Sequence, residues 1–365
     1  MRIAQVAPLF EPVPPELYGG SERVVSHLTE ELVRRGHSVT LFASGDSRTR
    51  ARLYSVVPRS LRLEPAILDP PAFHFVELAH AFARADEFDV IHCHNDYLAF
   101  PFAHSCPVPC VHTLHGRMDF PHWSELMTVF SDMHLVSISN DQRRPLSNLD
   151  LNWADTIYHG LPESYFRLYP GEGGYLVYFS RIAREKHPEV AIEVARRSGI
   201  PLKMAGKVDK TDLSFFTQEI EPLLNHPLIE YLGEIHDAQR PELIGNAMAL
   251  LFPIDWPEPF GLVMIEAMAC GTPVIARPYG SVPEVVDDGV TGFIVSDINE
   301  MVDAVEKVGG LDRKHCLRRA RDRFSAPVMA DRYEQVYQSL IEKGTGYRLG
   351  AGRLSHAGMI SGRLV

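Results

Sequence analysis

The sequence predicts two α/β domains, each carrying a parallel β-sheet, and three observations lead there. A chain of 365 residues is longer than one hydrophobic core comfortably serves, so two domains of ordinary size are expected. Apolar runs of strand length alternate with amphipathic helical patterns along almost the whole chain, which implies βαβ units and hence parallel sheets. The alternation breaks once, at Tyr169-Pro170-Gly171-Glu172-Gly173-Gly174, a turn-rich stretch suited to a hinge.

Taken in order, residues 3–7 form the first strand. Ser21 is expected to cap the helix that follows, whose face carries Val24, Val25, Leu28, Leu32 and Val33, and Gly36 ends it. Strands are then expected at 39–43, 89–93, 110–114, 134–138 and 156–158. Beyond the hinge they fall at 175–179, 202–205, 229–232, 249–252, 273–276 and 293–295. Helical patterns at 313–324 and 327–343 close the folded part, and the unpatterned stretch 344–365 reads as a flexible tail.

Composition excludes some partners. A formal net charge of −11 opposes nucleic-acid binding, which needs a basic footprint. Residues 1–8 are too short for a signal peptide, and no run approaches the ~18 apolar residues of a membrane span. Five cysteines, Cys93, Cys106, Cys110, Cys270 and Cys316, sit mostly in apolar segments and read as reduced core residues of a cytoplasmic protein. Peripheral association with the inner membrane face is compatible with this reading. The oligomeric state has no sequence signal.

The chemistry concentrates in the run Trp256-Pro257-Glu258-Pro259-Phe260-Gly261-Leu262-Val263-Met264-Ile265-Glu266-Ala267-Met268-Ala269-Cys270-Gly271-Thr272-Pro273-Val274-Ile275-Ala276. A Pro-stiffened loop carries Glu258 and the following helix carries Glu266, at the C-terminal edge of a parallel sheet, where open α/β folds bind ligands. Free N–H groups at the helix start, around Leu262 and Val263, offer an anion site. A lone glutamate is ordinarily solvated, but Glu266 lies in a mostly apolar helix and needs partners there. A second run, Phe179-Ser180-Arg181-Ile182-Ala183-Arg184-Glu185-Lys186-His187-Pro188, leaves a strand end with Arg181 and Lys186 able to reach one diphosphate. A third, Pro14-Pro15-Glu16-Leu17-Tyr18-Gly19-Gly20-Ser21-Glu22, sets Gly19 and Gly20 before a helix, which permits close backbone approach to an anion.

These runs resemble the signature of family 4 glycosyltransferases, whose E-x7-E motif is matched by Glu258 and Glu266. The resemblance covers about residues 1–340. It implies a GT-B fold: two Rossmann-like α/β domains with parallel sheets facing an interdomain cleft. Residues 1–165 would form the N-terminal acceptor-binding domain, joined by a crossover helix at about 327–343. Residues 166–326 would form the nucleotide-sugar-binding domain. The resemblance further implies a retaining hexosyltransferase that moves sugar from an NDP-sugar to an acceptor hydroxyl of a saccharide, lipid or small metabolite. A UDP-sugar such as UDP-glucose is favoured over GDP- or ADP-sugars, and no cofactor is required.

By that similarity, Glu258 contacts donor-sugar hydroxyls, Glu266 the ribose, and Arg181 and Lys186 the diphosphate. Phe260, Gly261, Leu262 and Val263 form the wall and helix start beside them, and the Gly19-Gly20 loop reaches across the cleft. His115, just past a strand and before Gly116, resembles the family's active-site histidine and is the catalytic candidate of the first domain. His92, His94 and His112 are expected to be core or strand-end histidines, and no metal site is expected: no Asp-x-Asp pair occurs. Asn95-Asp96-Tyr97 is expected to face the cleft on the acceptor side, and backbone near Gly206 and Gly233 to meet the base. Ser180 departs from the glycine usual in the family. Competing readings are another GT-B-fold enzyme, such as a sugar-nucleotide epimerase or phosphorylase, and a non-catalytic two-lobed sugar-binding protein.

Overall fold

The computed structural model describes residues 1–64 and 67–344. The expected tail therefore lies, beyond Gly344, outside the described residues.

In the first half, β1 (Arg2–Val6) is followed by α1 (Gly20–Arg34), β2 (Ser38–Phe42), β3 (Arg52–Tyr54) and α2 (Pro70–Phe82). Then come β4 (Val90–Cys93), α3 (Phe100–Ala103), β5 (Cys110–Thr113), α4 (Pro121–Val129), β6 (Leu135–Ser137) and β7 (Trp153–Thr156). The second half runs β8 (Leu176–Phe179), α5 (Pro188–Ser198), β9 (Leu202–Ala205), α6 (Leu213–Phe215), β10 (Ile229–Tyr231) and α7 (Arg240–Gly245). It continues with β11 (Leu250–Phe252), α8 (Leu262–Ala269), β12 (Val274–Ala276), α9 (Val282–Val285), β13 (Gly292–Ile294) and α10 (Ile298–Lys307). Two longer helices, α11 (Arg313–Phe324) and α12 (Ala326–Lys343), end the described chain.

The strands form two separate all-parallel sheets, in the orders β3-β2-β1-β4-β5-β6-β7 and β10-β9-β8-β11-β12-β13. Such sheets are covered on both faces, and strands such as β4 and β5 are accordingly buried throughout. Each order reverses once, between β1 and β4 in the first sheet and between β8 and β11 in the second. Loops diverge at such a reversal and open a crevice beyond the strand ends. The loops carrying the three sequence motifs leave β1, β8 and β11, so strand order alone brings them to the crevices.

Three expectations are corrected. Ser21 does not cap α1: the N-cap is Gly19, no side-chain cap bond forms, and Ser21 lies inside the helix. The last strand of the first sheet runs Trp153–Thr156 rather than 156–158, half-buried at the sheet edge. The opposite edge strand, β3, was not anticipated, because Arg-Leu-Tyr is too short and too polar to read as a buried run.

The last helix, α12, packs on the first sheet and on α1. Met329, Ala330, Tyr333, Val336, Tyr337 and Leu340 repeat at helical spacing and bury against Ile3, Val24, Leu28 and Leu32. Arg35, just past α1, fixes the register by donating to Asp331 (2.6 Å), Glu334 (2.8 Å) and the Pro327 carbonyl (2.8 Å). Meanwhile α11 packs on α8 in the second half. No helix among the described residues is long and apolar enough to cross a membrane.

Candidate active site

Between the sheets lies a cavity of about 730 Å³ whose walls come from both halves. Gly19, Gly20, His115, Arg181, Lys186, Glu258, Phe260, Gly261, Leu262, Val263 and Glu266 all line it. Six of these follow β11, where the Pro-rich loop turns into α8. Gly261 makes that turn at φ +76°, and a Cβ there would meet Met264 Cε at 2.8 Å, so a side chain would both strain the backbone and clash. The N–H groups of Leu262 and Val263 lie in the first turn, where no intrahelical acceptor exists.

Charges in the cavity are paired in ways the motifs do not reveal. Lys186 is buried, its Nζ lying 4.3 Å from the Trp256 ring centroid and ion-paired to Glu258. The sequence reading assigned these two groups to different parts of a ligand. Arg181 pairs with Glu185, with Asp212 at 3.1 Å and with Asp209 at 3.5 Å. Glu266 is 3 % exposed and is met by Arg240 Nη1 at 3.4 Å. The neighbouring Arg184 points away and pairs with the exposed Glu219.

The glycine loop touches the other half directly. The Tyr18 backbone N–H donates to Glu234 (3.1 Å), and the Leu17 carbonyl accepts from both Arg240 Nη2 and Arg23 Nη2 (2.9 Å each). Arg23, on α1 and 1 % exposed, pairs with Asp237 across the cleft at 2.5 Å. A Cβ on Gly20 would lie 3.8 Å from Leu262 Cδ1, so the loop faces the first turn of α8. Glu22, in the first turn of α1, is pushed up to about 7 mainly by burial, and Glu11 is raised in the same sense.

His115 follows β5. Its Nε2 lies 2.9 Å from His94 Nδ1, and its ring stacks on His159 with centroids 5.3 Å apart. Burial lowers it to about 4, so at neutral pH it is an uncharged imidazole. His92, His94 and His112 are buried as expected, but His94 is not inert packing: it touches His115. Asn95-Asp96-Tyr97 does not line the cavity. Asn95 donates inward to the Ala7 carbonyl and Glu77, Asp96 accepts from the His115 N–H, and Tyr97 packs on Trp123. Gly206 lines the cavity, and Gly233 meets it only through its carbonyl bond to the Gly206 N–H. No group of three or more His, Cys, Asp or Glu side chains that could hold a metal occurs among the described residues.

Sequence reasoning did not include Glu284 among the site candidates, yet it ties the halves together. Its carboxylate accepts from the Asn140 N–H (2.8 Å), the Asp141 N–H (2.8 Å) and the Tyr158 hydroxyl (3.0 Å). It also missed Arg23, Arg240, Glu11, Glu22 and Trp256. Only the position of Glu22 and Arg23 at the helix start behind Gly19-Gly20-Ser21 was a usable signal.

Two parallel-sheet domains, an interdomain cavity at both strand reversals and an anion-ready helix start define a GT-B-fold enzyme. Residues 18–184 match the family model "Glycosyltransferase Family 4" and residues 167–321 match "Glycosyl transferases group 1". The chain is a GT-B-fold glycosyltransferase, transferring a sugar from a nucleotide-sugar donor to an acceptor. It is 27% identical to alpha-maltose-1-phosphate synthase of Mycobacterium tuberculosis, over 91% of this chain and 99% of that protein. The D-inositol 3-phosphate glycosyltransferase of Thermobifida fusca is 25% identical, over 76% and 77%. Among solved structures, Anabaena HepE in complex with UDP-glucose superposes with a TM-score of 0.72 at 18% identity, covering 93% of this chain and 100% of that one.

Proposed function

We propose that the enzyme is a retaining glycosyltransferase using UDP-glucose or a close UDP-sugar, with a hydroxyl acceptor. The observation that carries the reading is the convergence of Glu258, Glu266, Arg181, Lys186, the α8 N-terminus and His115 on one cavity. Glu266 takes the ribose diol, while Arg181, Lys186 and the N–H groups of Leu262 and Val263 hold the diphosphate. Glu258 and the neutral His115 take hydroxyls of the donor sugar. Negative charge grows on the diphosphate as the glycosidic bond breaks, so cations and helix amides aimed there bind the transition state more tightly than the ground state. The acceptor attacks from the face the diphosphate leaves, and a phosphate oxygen takes its proton, which retains configuration. The domain division 1–165 and 166–326, with the crossover helix returning to the first domain, belongs to this proposal and is supported by the packing of α12 on α1. A cytoplasmic setting is supported by five free, buried cysteines.

The test is release of free nucleotide from UDP-glucose and from GDP-mannose by purified protein, with extracts as acceptor source and NMR of the product's anomeric proton. UDP release with an α-configured product is expected. No nucleotide release from any nucleotide sugar would overturn the proposal, and a β-configured product would overturn retention.

A further inference from the structure

A continuous line of buried hydrogen bonds runs behind His115. The His94 ring lies 2.9 Å from His115 through Nδ1 and 2.8 Å from Gln5 Oε1 through Nε2. Gln5 Nε2 donates to the Tyr337 hydroxyl at 3.1 Å, and that oxygen lies 2.7 Å from His92 Nδ1. His92 Nε2 lies 2.7 Å from Thr113 Oγ1, which lies 2.8 Å from the Tyr333 hydroxyl. Gln5, His92, His94, Thr113, Tyr333 and Tyr337 are all at most 2 % exposed, so water does not substitute for any link.

The proton positions follow from the donor inventory. Gln5 Oε1 can only accept, so His94 carries its proton on Nε2. A neutral His94 then offers Nδ1 as an acceptor, and His115 must carry its proton on Nε2 to fill it. Burial favours the neutral form of both rings, and two imidazolium ions side by side would repel. On the far side the same polarity continues: Tyr337 accepts from Gln5 and donates to His92, which donates to Thr113. Reversing the line requires Gln5 to be turned over and would leave His115 Nδ1–H a buried donor with no partner. In the direction described, that atom is an unpartnered acceptor. Orphaned buried donors are the rarer arrangement.

We propose that His94 is a positioning residue: held by Gln5, it locks the cavity-lining ring of His115 as the Nε2–H tautomer, with Nδ1 unprotonated. Tyr337 and Tyr333 belong to α12, so the closing helix terminates the line that sets the active-site imidazole. The kinetic half of this inference rests on the proposed function; the tautomer half does not.

Histidine ¹⁵N NMR of the full chain, with His115 assigned from the difference spectrum of His115→Gln, reads the tautomer without any substrate. The expected result is an unprotonated Nδ1 and a protonated Nε2 at pH 6 to 8. A protonated Nδ1 would overturn the proposal even if every transfer assay succeeds, and the expected spectrum would stand even if no donor is turned over. Two variants then test the consequence. His94→Leu removes the acceptor and should lower kcat/KM about tenfold, the worth of one misdirected hydrogen bond, with UDP affinity unchanged. His94→Gln, whose amide oxygen accepts from Nε2–H, should restore most of the loss. Equal losses in both variants, or a parallel fall in UDP affinity, would mean that His94 only fills space.

Discussion

Glu266→Ala tests the ribose assignment most directly. The carboxylate is 3 % exposed and faces Arg240 at 3.4 Å, so its charge is carried in a low-dielectric wall of the cavity. Hydrogen bonds to charged groups contribute about 1.5–3 kcal/mol, which corresponds to a roughly 10- to 150-fold weaker UDP complex. The fold should tolerate the loss, because Arg240 keeps Asp237 at 3.3 Å and the Leu17 carbonyl at 2.9 Å. Melting of the purified variant checks that. Calorimetry with UDP and with 2′,3′-dideoxy-UDP, on wild type and variant, then closes a cycle between side chain and ligand. If Glu266 holds the diol, removing either partner costs the same and removing both costs little more. Fully additive losses would refute the assignment, as would an unchanged UDP affinity in Glu266→Ala.

Glu258→Ala should reduce kcat more than it weakens UDP binding, measured as turnover against calorimetric affinity, since the proposed contact is to the sugar. Gly280→Ala should act on the same residue from behind: Gly280 has φ +59°, and a Cβ there would meet Glu258 N and O at 2.3 Å. The expected outcome is a turnover loss resembling that of Glu258→Ala in a protein that still binds UDP. Stability should fall in mild acid. His27, His115 and His112 are lowered to about 4, 4 and 3, and His92, His94 and His159 lie well below their usual value. The unfolded chain therefore binds protons that the fold refuses, and stability present above about pH 6.5 is lost towards pH 4, roughly 1.4 kcal/mol per histidine per pH unit. Glu22 (about 7), Asp96 (about 6) and Glu77 are raised and act oppositely, losing stability as pH rises through 4.5 to 7. The histidines outnumber them, so Tm should drop from pH 7 to pH 5, and a flat or rising Tm would contradict the burial argument.

The fold was legible because parallel strands are buried on both faces and read as short apolar runs, as at Leu202–Ala205, which the structure reproduces to the residue. Edge strands were not. Half of β3 and β7 faces solvent, and Arg52 or Asp155 leaves no continuous run. Ser21 misled for a related reason: N-cap statistics describe typical helix starts, whereas this one begins on a glycine at φ 145°. The motif loops were legible because they sit directly after strands, so local order predicts their edge. What joins the halves was not. Arg23 with Asp237, Glu284 with Asn140, and Tyr18 with Glu234 are each separated by more than a hundred residues, and no period or spacing in one segment encodes its partner in another. The link between His92 and Tyr337 is hidden for the same reason.

The ion pairs inside the cavity bear on how donor binding must work. Lys186 is paired to Glu258, and Arg181 is surrounded by Glu185, Asp209 and Asp212. A diphosphate entering beside α8 therefore competes with carboxylates for both cations, and its Coulombic gain is the difference between two ion pairs. If Glu258 contacts the sugar as proposed, the exchange at Lys186 is productive, because it frees that carboxylate to accept. One end of the donor then prepares the ligand for the other, so UDP alone should capture less of the site's binding energy than a UDP-sugar does. In Lys186→Met, Glu258 loses its buried counter-charge, and the advantage of UDP-sugar over UDP should shrink. Measuring both affinities by calorimetry in wild type and Lys186→Met decides it: an unchanged ratio would show that the two groups act independently despite their contact.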